Sequence, residues 1–319
     1  YVLTSATATT DGTAYNDLFY AVTVGELTAS DVVNGGAGAD TLRFAIDEGD
    51  DPFRPVTTGV EHLRFTVVDN SGGAAAHTPE LKIDLTSGVE TIQVDNFTND
   101  TTDDVLTVSG LGTGVVVKFA DNAGAANRDN DLTIEYASVT GTTDAATIKV
   151  DTTTANNTYG TITAAGIETL TLINSGDKTG TYAVTAAAAT TVNIQGTASS
   201  NTLTAAAATK LVADVTGDTT ITNGDLTKNL TYDITVAETA TFTATPTPSD
   251  YSNTATAART LQMDVKGAGK AVLTPTLDWG DQTTYKDTIT IDASTNTGGV
   301  TGDFRNWSNG NATYINFTG

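Results

Sequence analysis

A short pattern recurs along this chain: glycine, then Val or Ile, then Glu, followed at once by alternating apolar and polar residues. Copies stand at Gly59-Val60-Glu61-His62-Leu63-Arg64-Phe65, Gly88-Val89-Glu90-Thr91-Ile92-Gln93-Val94 and Gly166-Ile167-Glu168-Thr169-Leu170-Thr171-Leu172. Such alternation puts every second side chain on one face, the signature of a half-buried strand. Alanine-rich copies follow: Thr163 to Leu170 aligns with Thr185 to Val192, with Thr204 to Leu211, and loosely with Gly224 to Leu230. Their starts lie roughly 20 residues apart, a period that suggests coils of a β-solenoid or stacked hairpins. The runs Ala186 to Ala189 and Ala205 to Ala208 are too short to nucleate a helix and fit tight corners between coils.

Composition points the same way. Thr makes up about a fifth of the 319 residues, and its β-branched side chain favours strands. Gly, Asn and Asp are abundant and favour turns. The predicted fold is all-β and elongated, with short-stranded β-solenoid-like and β-sandwich-like segments. Punctuation at 49–55 and at 245–250 divides it into a segment 1–55, a repeat region 56–245 and a C-terminal region 246–319.

The formal net charge of -23 and the absence of basic clusters exclude nucleic acid as a partner. No run approaches the ~20 apolar residues of a membrane-spanning helix, so insertion into a membrane is not expected. Cysteine is absent and methionine occurs once, which suits a long-lived extracellular protein. The chain starts at Tyr1 without a charged-then-apolar leader, which suggests a processed product or one part of a larger polypeptide.

Near the start stands a glycine-rich nonapeptide, Asn34-Gly35-Gly36-Ala37-Gly38-Ala39-Asp40-Thr41-Leu42. Glycines at Gly36 and Gly38 permit φ > 0 and close approach of carbonyls to an ion. Asp40 supplies the anionic oxygen that a hard cation such as Ca²⁺ prefers. A partial copy precedes it, Asp11-Gly12-Thr13-Ala14-Tyr15-Asn16-Asp17-Leu18-Phe19, with Gly12 on Gly35, Asp17 on Asp40 and Phe19 on Leu42. The candidate calcium ligands are therefore Asp17 and Asp40, with Asn16, Asn34 and the main chain around Gly12, Gly36 and Gly38. Asp11 and Asp31 are weaker candidates, each as suited to capping a turn.

These residues, together with the Gly-Val-Glu strands and the Thr/Ala-rich remainder, resemble bacterial repeats-in-toxin-related surface proteins, in particular their S-layer and large-adhesin members. The resemblance is specific over 1–45 and compositional beyond. It implies export by type I secretion, Ca²⁺ binding at the bacterial cell surface, and assembly with copies of itself into lattices, fibres or matrix; cell-surface polysaccharide is a further candidate partner. Such proteins carry several consecutive nonapeptides; one full and one partial copy here imply one or a few ion sites rather than a continuous array.

Further acidic groups, Asp47/Glu48/Asp50/Asp51, Asp100/Asp103/Asp104 and Asp129/Asp131, read either as further ion sites or as solvated loops, and the segment Asp95 to Asp104 does not match an EF-hand. A Glu repeated before each strand fits a repeated hydrogen bond to neighbouring backbone better than catalysis. His62 and His77 stand isolated and no hydrolase or phosphate-loop motif appears, so no enzyme is expected. The rival to a self-assembling protein is a monomeric adhesin with a glycan or host-surface cleft around Trp279, Tyr285 and Trp307. An ice-binding solenoid is suggested by Thr-x-Thr pairs such as Thr169/Thr171, Thr202/Thr204 and Thr241/Thr243, yet their sequence intervals look too irregular to build a flat ladder.

Overall fold

The structure is a computed structural model that describes residues 1–6, 8–47, 49, 52–68, 77–97, 105–120, 131–151, 157–176, 179–223, 230–246, 260–274, 288–302 and 314–319. Among these residues there is no α-helix, and no helix long and apolar enough to cross a membrane. Strands build three sheets of thirteen, ten and four members. Every pairing between them is parallel.

Parallel neighbours need a crossover between them, and here the crossover is itself a strand of the opposite sheet. The chain runs from Thr169–Ser175 in the thirteen-stranded sheet to Gly180–Thr185 in the ten-stranded sheet, then back to Thr191–Gly196. Ser199–Thr204, Lys210–Val215, Thr219–Asn223 and Leu230–Val236 continue the alternation. Each circuit is one coil of a β-solenoid-like stack, as the recurring strand pattern implies.

Period-two alternation fills the space between the walls. Leu170, Val192, Leu211 and Tyr232 stack in register from one side, with Ile162, Val184, Leu203 and Phe242 contributed by the other. One continuous apolar core extends from Leu3 to Ile291. Segments expected to meet near 55 and 245 share its ladders: Thr41–Asp47 pairs with His62–Val68, and Thr241–Pro246 with Lys270–Leu273.

The alignments read from sequence are register pairs. Thr163, Thr185 and Thr204 lie side by side, as do Leu170, Val192 and Leu211. The loose copy is displaced: Tyr232, not Leu230, sits beside Leu211. A slip of two keeps the side chain on the same face, which is why the error left the pattern intact. Both alanine runs form corners, with Ala189 N–H donating to Ala186 O (3.0 Å) and Ala208 N–H to Ala205 O (2.9 Å). Ala186, Ala189, Ala205 and Ala208 are buried there.

Coil length varies from 19 residues between Thr191 and Lys210 to 31 between Tyr232 and Met263. The difference falls outside the strands, and from Thr169–Ser175 to Leu230–Val236 each described pairing stays in register. Uneven intervals in sequence therefore do not exclude a regular ladder of Thr side chains, and that part of the sequence reading is corrected.

Candidate metal centre

The first coils carry the glycine-rich turns. Thr9–Asp11, Val32–Asn34, Val56–Thr58 and Thr86–Ser87 form the four-stranded sheet. Each leads through a turn into Leu18–Ala21, Thr41–Asp47, His62–Val68 and Thr91–Phe97 of the long sheet. Register pairs Asp11 with Asn34 and Thr58, and Leu18 with Thr41 and His62. Asp17 thus stacks on Asp40, as the aligned motifs require, and Glu61 takes the same corner in the next coil.

Sequence reasoning missed that last equivalence. Asp40 follows its glycine by five positions and Glu61 by two, so the two motifs look unrelated until the strands are paired. The carboxylates nonetheless act alike. Asp17 N–H donates to Asp40 Oδ1 (2.7 Å), and Asp40 N–H donates to Glu61 Oε2 (2.7 Å). Further along, Asp144 N–H donates to Glu168 Oε2 (2.9 Å). The repeated Glu at these two copies is a backbone acceptor for the preceding coil. Asp144, at an equivalent corner, was not singled out from sequence because no glycine pair announces it.

Glycine is required where coils meet. Gly36 and Gly38 have φ of 102° and 128°, a region other residues enter only with strain. A Cβ on Gly12 would stand 2.0 Å from Gly35 O and 2.8 Å from Asp17 Oδ2; one on Gly35 would stand 1.7 Å from Gly59 O and 2.5 Å from Asp40 Oδ2. Each glycine therefore leaves room for a carbonyl of one coil and a carboxylate of its neighbour.

The candidate ligands differ in what they already hold. Asp17 Oδ2 is occupied by Thr13 N–H and by the Thr13 hydroxyl (2.9 Å). Asn16 Oδ1 accepts Ala39 N–H (2.9 Å), and Asn34 Nδ2 donates to Asp11 Oδ1 (2.6 Å). Asp31 stands apart, at the far end of Val32–Asn34, and accepts Ala8 N–H, Thr28 N–H and the Thr28 hydroxyl at 2.7–2.9 Å. Asp40 is different. Its side chain is fully buried, and Oδ2 has no hydrogen-bond partner. An uncompensated buried carboxylate oxygen beside a carbonyl is costly, and a hard cation is the group that satisfies both oxygens. Among the described residues no three Asp, Glu or His side chains converge, so a cation here would rest on Asp40 and main-chain carbonyls.

Asp31 has a consequence of its own. Burial acts to raise its pKa, but the N–H groups of Thr28 and Ala8 and the Thr28 hydroxyl outweigh that, and it lies below the ordinary carboxylate value. A lowered folded-state pKa means stability present above the unfolded value of about 4 and lost as pH falls through the folded one. The melting-temperature gap between the native chain and Asp31→Asn is therefore expected to be full at neutral pH and to close on acidification below about pH 4. A gap that persists at pH 2 would assign Asp31 no such role.

No protein-family model, curated protein or solved structure matches this chain. Trp279, Tyr285 and Trp307, proposed to line an adhesin cleft, lie outside the described residues, as do Glu48, Asp50, Asp51, Asp100, Asp103, Asp104 and Asp129.

Proposed function

We propose that this chain is a structural protein of the bacterial cell surface, stabilised by Ca²⁺ and assembling with copies of itself into a layer or fibre. The observation that carries the reading is the buried, unpartnered Asp40 Oδ2 beside Gly59 O, in a corner stack of Asp17, Asp40, Glu61 and Glu90. Successive coils lie about 4.8 Å apart. Like charges at that spacing repel by about 1–3 kcal/mol per pair between water-like and protein-surface dielectric. Asp40 and the Gly59 carbonyl would hold the ion, with Glu61 and the main chain around Gly36 and Gly38 nearby. Calcium, when bound, supplies the positive charge this corner lacks.

Folding of such a corner gains from an ion that binds only the folded form, and calcium is plentiful outside cells. Self-assembly suits the architecture, because a parallel stack is extended by further parallel strands along its axis. Tyr1–Leu3 lies beside Leu18–Ala21 at one end of the long sheet, and Tyr314–Thr318 pairs with Thr288–Asn296 at the other. Exposed Tyr1, Val2 and Phe317 give both ends apolar surface.

The test measures bound metal and particle size on the same sample, before and after chelation. Large assemblies carrying calcium are expected in calcium buffer, with metal and size lost together on chelation. A metal-free, monodisperse single particle in calcium buffer overturns the reading. Bound metal on a lasting monomer leaves the calcium site and removes self-assembly, the result a monomeric adhesin gives.

A further inference from the structure

The two broad faces of the stack are chemically unlike. Outward positions of the long sheet carry Arg43, Arg64, Lys118, Lys149, Lys210 and Lys266, with acidic residues such as Asp95, Asp151 and Asp233 paired to several of them. The ten-stranded sheet carries charge on its outer strands, at Glu80, Lys82, Asp131, Glu135 and Lys270, but its middle presents something else. From Asn157–Ala164 through Gly180–Thr185, Ser199–Thr204 and Thr219–Asn223 to Thr241–Pro246, the described outward side chains are Thr at every position but Ala183 and Ser200. Neither a charge nor an aromatic ring stands among them, in a chain of net charge -23.

Pairing arranges these residues as a lattice. One row is Thr181, Ser200, Thr220 and Thr243; a second is Thr161, Ala183, Thr202, Thr222 and Thr245; a third is Thr163, Thr185 and Thr204. Between Gly180–Thr185 and Thr241–Pro246 the register never shifts. The second row continues to Thr274, whose hydroxyl lies 3.0 Å from that of Thr245. Neighbours in a row are about 4.8 Å apart, and rows are separated by about 6.6 Å, twice the rise of a parallel strand. The strands from Gly180 to Asn223 are hydrogen-bonded on both sides, so the lattice is rigid. Thr181, Thr202 and Thr204 are exposed.

We infer that this face binds ice. Each Thr offers one hydroxyl donor and two acceptor lone pairs beside a methyl group. A fixed array of such pairs holds water molecules at the repeat of the sheet, and that repeat is close to the oxygen spacings on the prism faces of ice. The composition disfavours other occupants. Sugar rings stack on aromatic side chains, and ionic partners need charge; the described outward side chains of these five strands offer neither. β-propensity accounts for Thr in strands, and the long sheet also carries outward Thr169, Thr171, Thr191 and Thr231, but it does not account for five successive strands whose described outward positions hold no charge. The inference does not depend on calcium or on self-assembly, since the lattice lies many coils from the glycine-rich turns.

The experiment grows ice slowly through a solution of the full chain in calcium buffer and measures protein in the ice and in the liquid. Recrystallisation is followed alongside. The native chain is expected to enter the ice and to halt grain growth. Thr202→Lys and Thr181→Lys, each placing a charge on the lattice, are expected to abolish both effects with the far-ultraviolet circular dichroism unchanged. Val212→Lys, on the opposite face, is expected to leave them intact. Exclusion of the folded native chain from ice overturns the inference, and so does retention of activity by both lattice variants. Sedimentation of the same proteins separates a further outcome: dimers of the native chain that Thr202→Lys dissociates would assign the face to a second copy and likewise overturn ice binding.

Discussion

Gly196→Ala is expected to cost about 4–5 kcal/mol, near the top of what one substitution does. Gly196 has φ +98°, and a Cβ there would stand 1.9 Å from the Asn174 carbonyl oxygen. That carbonyl cannot swing aside, because it accepts Thr197 N–H at 3.0 Å while Gly196 O accepts Thr216 N–H at 2.7 Å. Three consecutive coils are thereby locked at one corner. Gly25 supplies the comparison: its φ is +82° but nothing lies within 4 Å of the missing Cβ. Gly25→Ala should cost only the backbone term, about 1–2 kcal/mol. Chemical denaturation of both variants checks the difference; equal losses would mean that close packing at Gly196 is not what requires glycine.

Asp40→Asn is expected to act in opposite directions in two buffers. With chelator present, the variant should melt at or above the native chain. The buried charge is gone, Oδ1 still accepts Asp17 N–H, and the amide N–H that replaces the unpartnered Oδ2 can donate toward the Gly59 carbonyl on the same side. With calcium present, the native chain gains by mass action, about 2.7 kcal/mol when the free ion is a hundredfold above its dissociation constant, and the variant does not. Calorimetric melting of both proteins with and without calcium reads the crossover. If the native chain shows no calcium-dependent rise, or the variant keeps it, Asp40 is not the ion's carboxylate.

Much of this fold was legible because burial follows a period of two. Leu42 and Phe44, Leu63 and Phe65, Ile92 and Val94 alternate in sequence and all point inward. Corners were legible where chemistry is distinctive, as at Gly35 to Asp40 and in the alanine runs. Pairing was not. Parallel and antiparallel strands show the same alternation, and Ser199–Thr204 or Thr219–Asn223 carry few large apolar residues to mark them. Threonine rows were hidden for a related reason: Thr181 and Thr243 become members of one line only after loops of unequal length are discounted. At the candidate site the nonapeptide named Asp40, but its solitary oxygen, and the kinship of Glu61 with Asp17, exist only in three dimensions.

The serial build of the stack has a bearing on how such a chain changes over generations. Each coil rests on the coil before it and the coil after it, through ladders of one orientation, so a whole circuit can be duplicated or excised and the flanking circuits rejoined. Reach is then a heritable quantity adjusted in steps of one strand spacing, without redesign of the interior. Lineages carrying this architecture should differ in overall span far more than in the cross-section of any single turn.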